Sequence, residues 1–253
     1  IAAWDKWGED ALEHISGMYA FAIWDKSDKQ LTLIRDPYGK KPLFYSVNNN
    51  IIAFASDLRS LETIINCGDI NPLAVESLFK YRFIHDPLSI YKNVHKLQPG
   101  HIIKFTSKNI VLRKWYNLNG LVEGQDNKGI IHKKLRNYFD KAVKRRLISD
   151  VDLGVFLSGG LDSSLIVSSL AEQGYSLPCF TMGFEGASDY YEERPQAERL
   201  AKYFGMEHHS FEINEKSILK KIPEILNASD EPFADTSALP FYMLSKEVSS
   251  SVK

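Results

Sequence analysis

Eight consecutive residues, Leu157, Ser158, Gly159, Gly160, Leu161, Asp162, Ser163 and Ser164, have the types and spacing to hold a bulky anion. Adjacent glycines let backbone N–H groups approach an anion that a Cβ would obstruct, and they permit a sharp turn. A helix beginning just after them would aim its unsatisfied N–H groups and positive dipole end at the same point. Ser158, Ser163 and Ser164 add hydroxyl donors. Asp162 is an acceptor with no reason to face phosphate unless a cation lies between, which suggests Mg2+ bridging Asp162 to phosphate oxygens. The competing reading is a Gly-Ser turn in which Ser and Asp cap a helix, both being favoured N-cap types. Capping does not ask for Gly-Gly after an apolar strand and before Asp-Ser, so the pattern is read as a nucleotide loop.

Such a loop needs a strand before it and a helix after it, and the flanking sequence predicts both. Residues 153–157 form an apolar run and 162–173 a helix rich in Leu, Ile and Val. Strand and helix patterns then alternate over 177–184, 194–204, 207–213 and 217–226. Ile131, Leu135, Tyr138, Phe139, Ala142 and Val143 recur at helical spacing ahead of the loop. Strands separated by helices require crossover connections, so this half is expected to be an α/β domain with a parallel sheet covered on both faces.

The first part of the chain follows another pattern. Short apolar or alternating runs at 18–24, 31–34, 42–47 and 51–55 are bounded by polar turns at 25–29 and 48–50, which predicts antiparallel sheet. Asp57 is expected to cap a short helix reaching Ile65. Asn71-Pro72 opens another with Val75, Leu78 and Phe79 on one face. After a Pro99-Gly100 turn, strands are predicted at 101–105 and 110–115. The polar, glycine-containing stretch 119–129 is the expected linker between domains at 1–118 and 130–253.

Bulk properties narrow the function classes. A chain of 253 residues with 44% hydrophobic and 25% charged residues suits two modest domains. Its formal charge of -1 offers no field for nucleic acid or a membrane surface, so small-molecule substrates are expected. The run Lys133, Lys134, Arg136, Lys141, Lys144, Arg145 and Arg146 reads as a solvated face. Cys67 and Cys179, the two cysteines, sit in unlike contexts, which argues against a disulfide framework and for a cytoplasmic protein. No stretch approaches the roughly 18 to 20 apolar residues of a membrane span.

The loop resembles the SGGxDS segment of the PP-loop ATP pyrophosphatases, and further segments resemble the glutamine-hydrolysing asparagine synthetases among them. Phe180-Thr181-Met182-Gly183-Phe184 is similar to the family's second strand, which implies adenine contact near Met182 and Gly183; core packing competes for the side chains. Glu207-His208-His209 resembles the segment at the third strand, and lacks the further ligands that a metal site would need. Residues 230–240 resemble a segment along the active-site cleft. Glu231 and Asp235 are therefore candidates for the substrate pocket, against a capping role ahead of the next helix. Glu192 and Glu193 read as surface residues complementing a helix dipole. In the first half, residues 16–25 and 35–45 resemble the later part of a class II glutaminase domain, with the fold of N-terminal nucleophile hydrolases; Lys96 to His101 resembles its end. Arg35 and Asp36 are expected to pair, Gly39 to take a left-handed turn and Pro42 to open a strand.

The resemblance implies a carbon-nitrogen ligase. ATP adenylates aspartate, and ammonia from glutamine displaces AMP, with ATP and Mg2+ required and a homodimer as the expected assembly. The family's glutaminase nucleophile is a Cys at the first position, where this sequence has Ile1. The sequence is therefore expected to be a piece truncated at both ends, without glutaminase activity by itself and inactive alone. Two rivals remain: a related amidotransferase or β-lactam-synthetase-like enzyme, and a non-catalytic nucleotide-binding module.

Overall fold

The computed structural model describes residues 1–48, 51–118, 128–186, 192–250 and 252. Its fold is mixed α/β, with two antiparallel sheets and one parallel sheet among the described residues. The chain divides into two compact units, one of residues 1–123 with 229–234, the other of 124–228 with 235–253. The predicted linker residues 119–127 and the turn residues Asn49 and Asn50 lie outside the described residues. No helix among the described residues is long and apolar enough to cross a membrane.

The first unit opens with α1 (Ala2–Trp7), a 3-10 turn (Gly8–Asp10) and α2 (Ala11–His14). It continues through β1 (Ala20–Asp25), β2 (Gln30–Arg35), β3 (Phe44–Asn48), β4 (Ile51–Ala55), α3 (Leu58–Glu62) and α4 (Pro72–Tyr81). Strands β5 (His95–Lys96), β6 (His101–Phe105) and β7 (Ile110–Lys114) complete it. One sheet runs β1-β2-β6-β7 and the other β4-β3-β5. Strand β2 is buried on both faces, and the period of two divides its side chains between two clusters. Leu31 and Leu33 pack with Ile103, Leu43 and Leu97, drawing Tyr45 and Ile52 from the second sheet. Ile34 packs on the opposite face with Ile102 and Leu12 of α2.

Both predicted caps form: Asp57 accepts the Ser60 N–H at 2.8 Å and Asn71 the Leu73 N–H at 3.1 Å. The residues expected on one face of α4 are buried unequally: Val75 and Leu78 are half-buried. Ala74 and Ser77 are its buried residues, while Phe79 is 85% exposed. The chain after the helix folds back over that side, and the Ser77 hydroxyl donates to Phe83 O at 3.0 Å and meets His85 Nδ1 at 2.7 Å.

Arg35 and Asp36 do not pair with each other, because neighbours on extended backbone point to opposite sides. The Arg35 guanidinium donates to Asp86 Oδ2 at 2.7 Å and to the carbonyls of Lys41, Gly39 and Leu97. Gly39 takes φ +61, the left-handed turn expected of it. The Asp36 carboxylate turns inward and accepts N–H groups from Tyr38, Lys40 and Lys41 at 3.0 to 3.1 Å. Burial pushes its pKa up, but the N–H donors of Lys41, Lys40 and Tyr38 outweigh burial and hold the carboxyl below its usual value of 3.8. A depressed folded value adds stability that is present above the unfolded value and is lost as pH falls through the folded one. Thermal melts from about pH 5 down to about pH 2 should therefore show a falling midpoint for the wild type. The slope should be shallower for Asp36→Asn; an unchanged slope would remove Asp36 from the acid response.

The segment 229–234 joins the first unit from far along the sequence. Glu231 Oε1 accepts the Ile90 N–H at 2.8 Å, and its other oxygen pairs with Lys96, both side chains being 12% exposed. Lys96 also donates to Ile84 O at 2.7 Å, and the Ala234 N–H donates to Arg82 O at 2.8 Å.

The second unit contains α5 (Lys128–Arg145), β8 (Val155–Phe156), α6 (Leu161–Glu172), β9 (Cys179–Phe184), α7 (Arg194–Phe204), β10 (His208–Ile213), α8 (Glu215–Asn227) and α9 (Ala238–Val248). Helix α5 takes in the last two residues assigned to the linker. Of the residues read at its helical spacing, Val143 is buried and Phe139 packs partly, whereas Leu135 and Tyr138 are exposed. The three strands lie parallel in the order β10-β9-β8. Alternation along β9 splits the core. Cys179 packs with Val143, Val167, Leu170, Ala197 and Ala201 from α5, α6 and α7. Phe180 packs on the other face with Leu244 and Val248 of α9. The sheet thus carries helices on both faces, the crossover helices α6 and α7 on one and α9 on the other.

Candidate functional site

The predicted nucleotide loop lies between β8 and α6. It starts from a core residue, Leu157, which is 2% exposed, and its N–H donates to Phe180 O at 2.9 Å. Gly160 is the N-cap of α6 in extended conformation, with φ -79 and ψ 163, and it supplies no side-chain cap. The helix therefore begins with first-turn N–H groups that no side chain caps, the arrangement that favours an anion. Neither Gly159 nor Gly160 is among the residues with positive φ. Gly159 sits at a close approach: a Cβ there would lie 3.0 Å from Cβ and Cγ of Gln196 on α7, so that one side must give by a few tenths of an ångström.

The serine hydroxyls bond within the loop. Ser163 Oγ accepts the Ser158 N–H at 3.1 Å and lies 2.8 Å from Ser158 Oγ, which accepts the Gly160 N–H at 3.2 Å. Ser164 Oγ donates to Gly160 O at 2.6 Å. These bonds fix the turn from within. Asp162 is exposed in the first turn of α6. No group of three or more His, Cys, Asp or Glu side chains able to hold a metal occurs among the described residues. Asp162 is the loop carboxylate that could hold a hard divalent cation.

A cavity of about 690 Å³ opens beside the loop, wholly within the second unit. Phe156, Leu157 and Ser158 form one wall; Phe180, Thr181, Met182 and Phe184 of β9 form the floor. Glu193 before α7 borders it, and Ser237, Pro240, Phe241 and Leu244 close it from α9 and the residue preceding it. Phe156 and Phe241 meet edge to face at 5.4 Å. An apolar cleft of this size with a few polar groups at its edge suits a flat heterocycle joined to phosphate.

The other predicted residues divide. Met182 lines the cavity, and buried Gly183 lies beside Arg194 on the same strand end. Glu192 clamps Arg194 at 2.8 Å, and Arg194 reaches Glu212 at 2.9 Å. The Arg194 side chain holds the Glu192 carboxyl below its usual range. Glu193 is exposed at the start of α7, as its surface reading expected, and also borders the cavity. Glu231 belongs to the first unit and is held by Lys96 and Ile90. Asp235 belongs to the second, where its Oδ1 accepts the Ser237 N–H at 2.9 Å. Ser237 and Pro240, which line the cavity, lie in the segment 230–240 read from sequence as running along the cleft. Phe156 and Phe241 were not singled out, since α9 reaches the cavity by tertiary packing.

Comparison with known proteins finds a similar family for each half. The asparagine synthase family matches residues 134–253, and the glutamine amidotransferase domain family matches residues 1–116. Asparagine synthetase [glutamine-hydrolyzing] 1 of Bacillus subtilis (strain 168) is 33% identical over 247 residues, covering 98% of this chain and 39% of the relative. Asparagine synthetase [glutamine-hydrolyzing] 2 of Arabidopsis thaliana is 30% identical over 260 residues, with the same coverage. Amidase chry2 of Gibberella zeae is 27% identical over 266 residues, again covering 98% and 39%. The chain thus spans about two fifths of the length of these relatives.

Proposed function

We propose that the full-length protein makes asparagine from aspartate, glutamine and ATP through an aspartyl-AMP intermediate, a reading supported by the similarity of residues 134–253 to the asparagine synthase family, of residues 1–116 to the glutamine amidotransferase domain family, and of both to a glutamine-hydrolysing asparagine synthetase. In this reading residues 1–118 are the later part of a class II glutaminase domain whose antiparallel sheets form the sandwich of an N-terminal nucleophile hydrolase. Residues 130–253 begin a PP-loop synthetase domain, with 119–129 between them. Aspartate, glutamine and ATP are the small-molecule partners.

The observation that carries the reading is the uncapped start of α6 beside the cavity. The backbone N–H groups at Gly159 and Gly160 and those of the first turn of α6 hold the phosphates, with Ser158, Ser163 and Ser164 shaping the loop and offering hydroxyls when a ligand enters. Leu157, Met182 and Gly183 bound the space for the base. Asp162 would hold Mg2+, which supplies neutralisation of charge on the leaving pyrophosphate. The loop N–H groups act in the same sense: they stabilise the negative charge that grows on the pyrophosphate as the carboxylate attacks the α-phosphate. Asp235 is assigned to positioning of the acceptor.

An aspartate-dependent ATP–pyrophosphate exchange assay on the full-length protein tests this. Exchange that requires aspartate is expected. Exchange with a different acid only would replace asparagine synthesis by a related amidotransferase, a reading that the similarity to an amidase keeps in view. Absence of exchange together with retained nucleotide binding would favour a binding module.

A further inference from the structure

The β8–β9 ladder is short. Its pairs are Val155 with Cys179 and Phe156 with Phe180, and the Leu157 N–H bond to Phe180 O closes it. The next acceptor along the edge is the Leu157 carbonyl, directly before Ser158. It is taken by a side chain: Thr181 Oγ1 donates to Leu157 O at 2.5 Å. Thr181 is 2% exposed and has one hydroxyl proton, already committed to that carbonyl. The contact of 2.9 Å between Thr181 Oγ1 and His208 Nε2 must therefore be a bond that His208 donates. The imidazole on β10 thus carries a proton on Nε2, and the two bonds run in one direction, from His208 to Thr181 to the start of the loop.

We propose that Thr181 and His208 are positioning residues for the nucleotide loop, a role that rests on the nucleotide reading above. Each bond polarises the next, so a donor on β10 strengthens the hold of β9 on the Leu157 carbonyl. The strand pairing by itself ends one bond short of the loop. The relay supplies the missing restraint, and it does so where Thr181 also lines the cavity. Without it, the uncapped N–H groups of α6 and the floor of the cavity would no longer keep a fixed separation, and a nucleotide bound to both would lose affinity.

The test uses the full-length protein, with Mg-ATP titrated in aspartate-dependent exchange and in calorimetry. Thr181→Val keeps the side-chain shape and removes the hydroxyl; its KM and Kd for Mg-ATP should rise about tenfold, the size of one lost hydrogen bond. Thr181→Ser should recover most of that affinity. His208→Gln keeps an N–H donor at the reach of Nε2 and should stay near wild type, whereas His208→Ala should weaken Mg-ATP by about threefold to fivefold. Rescue by the hydroxyl and amide variants separates positioning from bulk packing. Should Thr181→Val fail to fold, the His208 pair decides. Wild-type affinity in Thr181→Val, or equal loss in both members of either pair, would overturn the relay alone. A wild type silent in both assays would overturn the nucleotide reading and the relay together.

Discussion

Gly159→Ala in the full-length protein is expected to lower aspartate-dependent ATP–pyrophosphate exchange by about a hundredfold to a thousandfold, the range seen when a preorganised backbone donor to a transition-state charge is lost. The effect does not come from backbone strain, because Gly159 is outside the left-handed region. It comes from space. A new Cβ would sit 3.0 Å from the Cβ and Cγ of Gln196 and 3.7 Å from Glu193 O. Gln196 is anchored in α7, so the loop rather than the helix has to move. Even a shift of a few tenths of an ångström displaces donors whose value depends on alignment. Gly160→Ala is the internal comparison: its Cβ would meet only Ser158 Oγ, at 3.2 Å. That hydroxyl can rotate, so a loss nearer tenfold is expected. Equal, small effects from both substitutions would show that the loop does not hold the phosphates.

The second large effect concerns stability. Arg35→Ala should destabilise the first unit by about 3 to 5 kcal/mol, the cost of breaking a buried pair by removing one partner. The Arg35 side chain is 9% exposed and its Asp86 partner 24%. Removing the guanidinium strips a donor from three carbonyls as well, those of Gly39, Lys41 and Leu97. These acceptors come from the loop after β2 and from the residue following β5, so Arg35 joins segments that the sheet ladders alone leave separate. Arg35→Lys should recover less than half the loss, since one ammonium cannot reproduce a planar fork with donors in fixed directions. Urea unfolding followed by a probe in the first unit checks both variants. A loss below about 1 kcal/mol for Arg35→Ala would mean that water replaces the guanidinium at its acceptors.

Sequence alone carried the fold class a long way. Alternation in the first part and strand-helix alternation in the second fixed the two kinds of sheet, because side-chain period follows backbone geometry. The predicted span 194–204 coincides with α7, since Pro195 near its start and Gly205 at φ +67 after its end act through local conformation. The strand, glycine turn and helix start around residues 157–164 were legible for the same reason, because adjacent glycines and the apolar runs on either side act within a few positions.

Other features depended on partners distant in sequence. Arg35 lies next to Asp36 along the chain and bonds to Asp86 across it, because the strand pleat turns neighbours apart. How deeply α4 buries its face was not legible, since the segment that follows it decides which side is covered. Glu231 and Asp235 are close in sequence and belong to different units, which no local pattern could state. The role of Thr181 was hidden altogether: a buried threonine in a strand reads as β-propensity, and only parallel pairing of β9 between β8 and β10 sets its hydroxyl between a carbonyl and an imidazole. Local sequence determined where the chain turns, caps and alternates, through torsional and steric preferences within a few residues. Tertiary packing decided which polar groups meet, because burial leaves each of them to find a partner wherever the fold brings one.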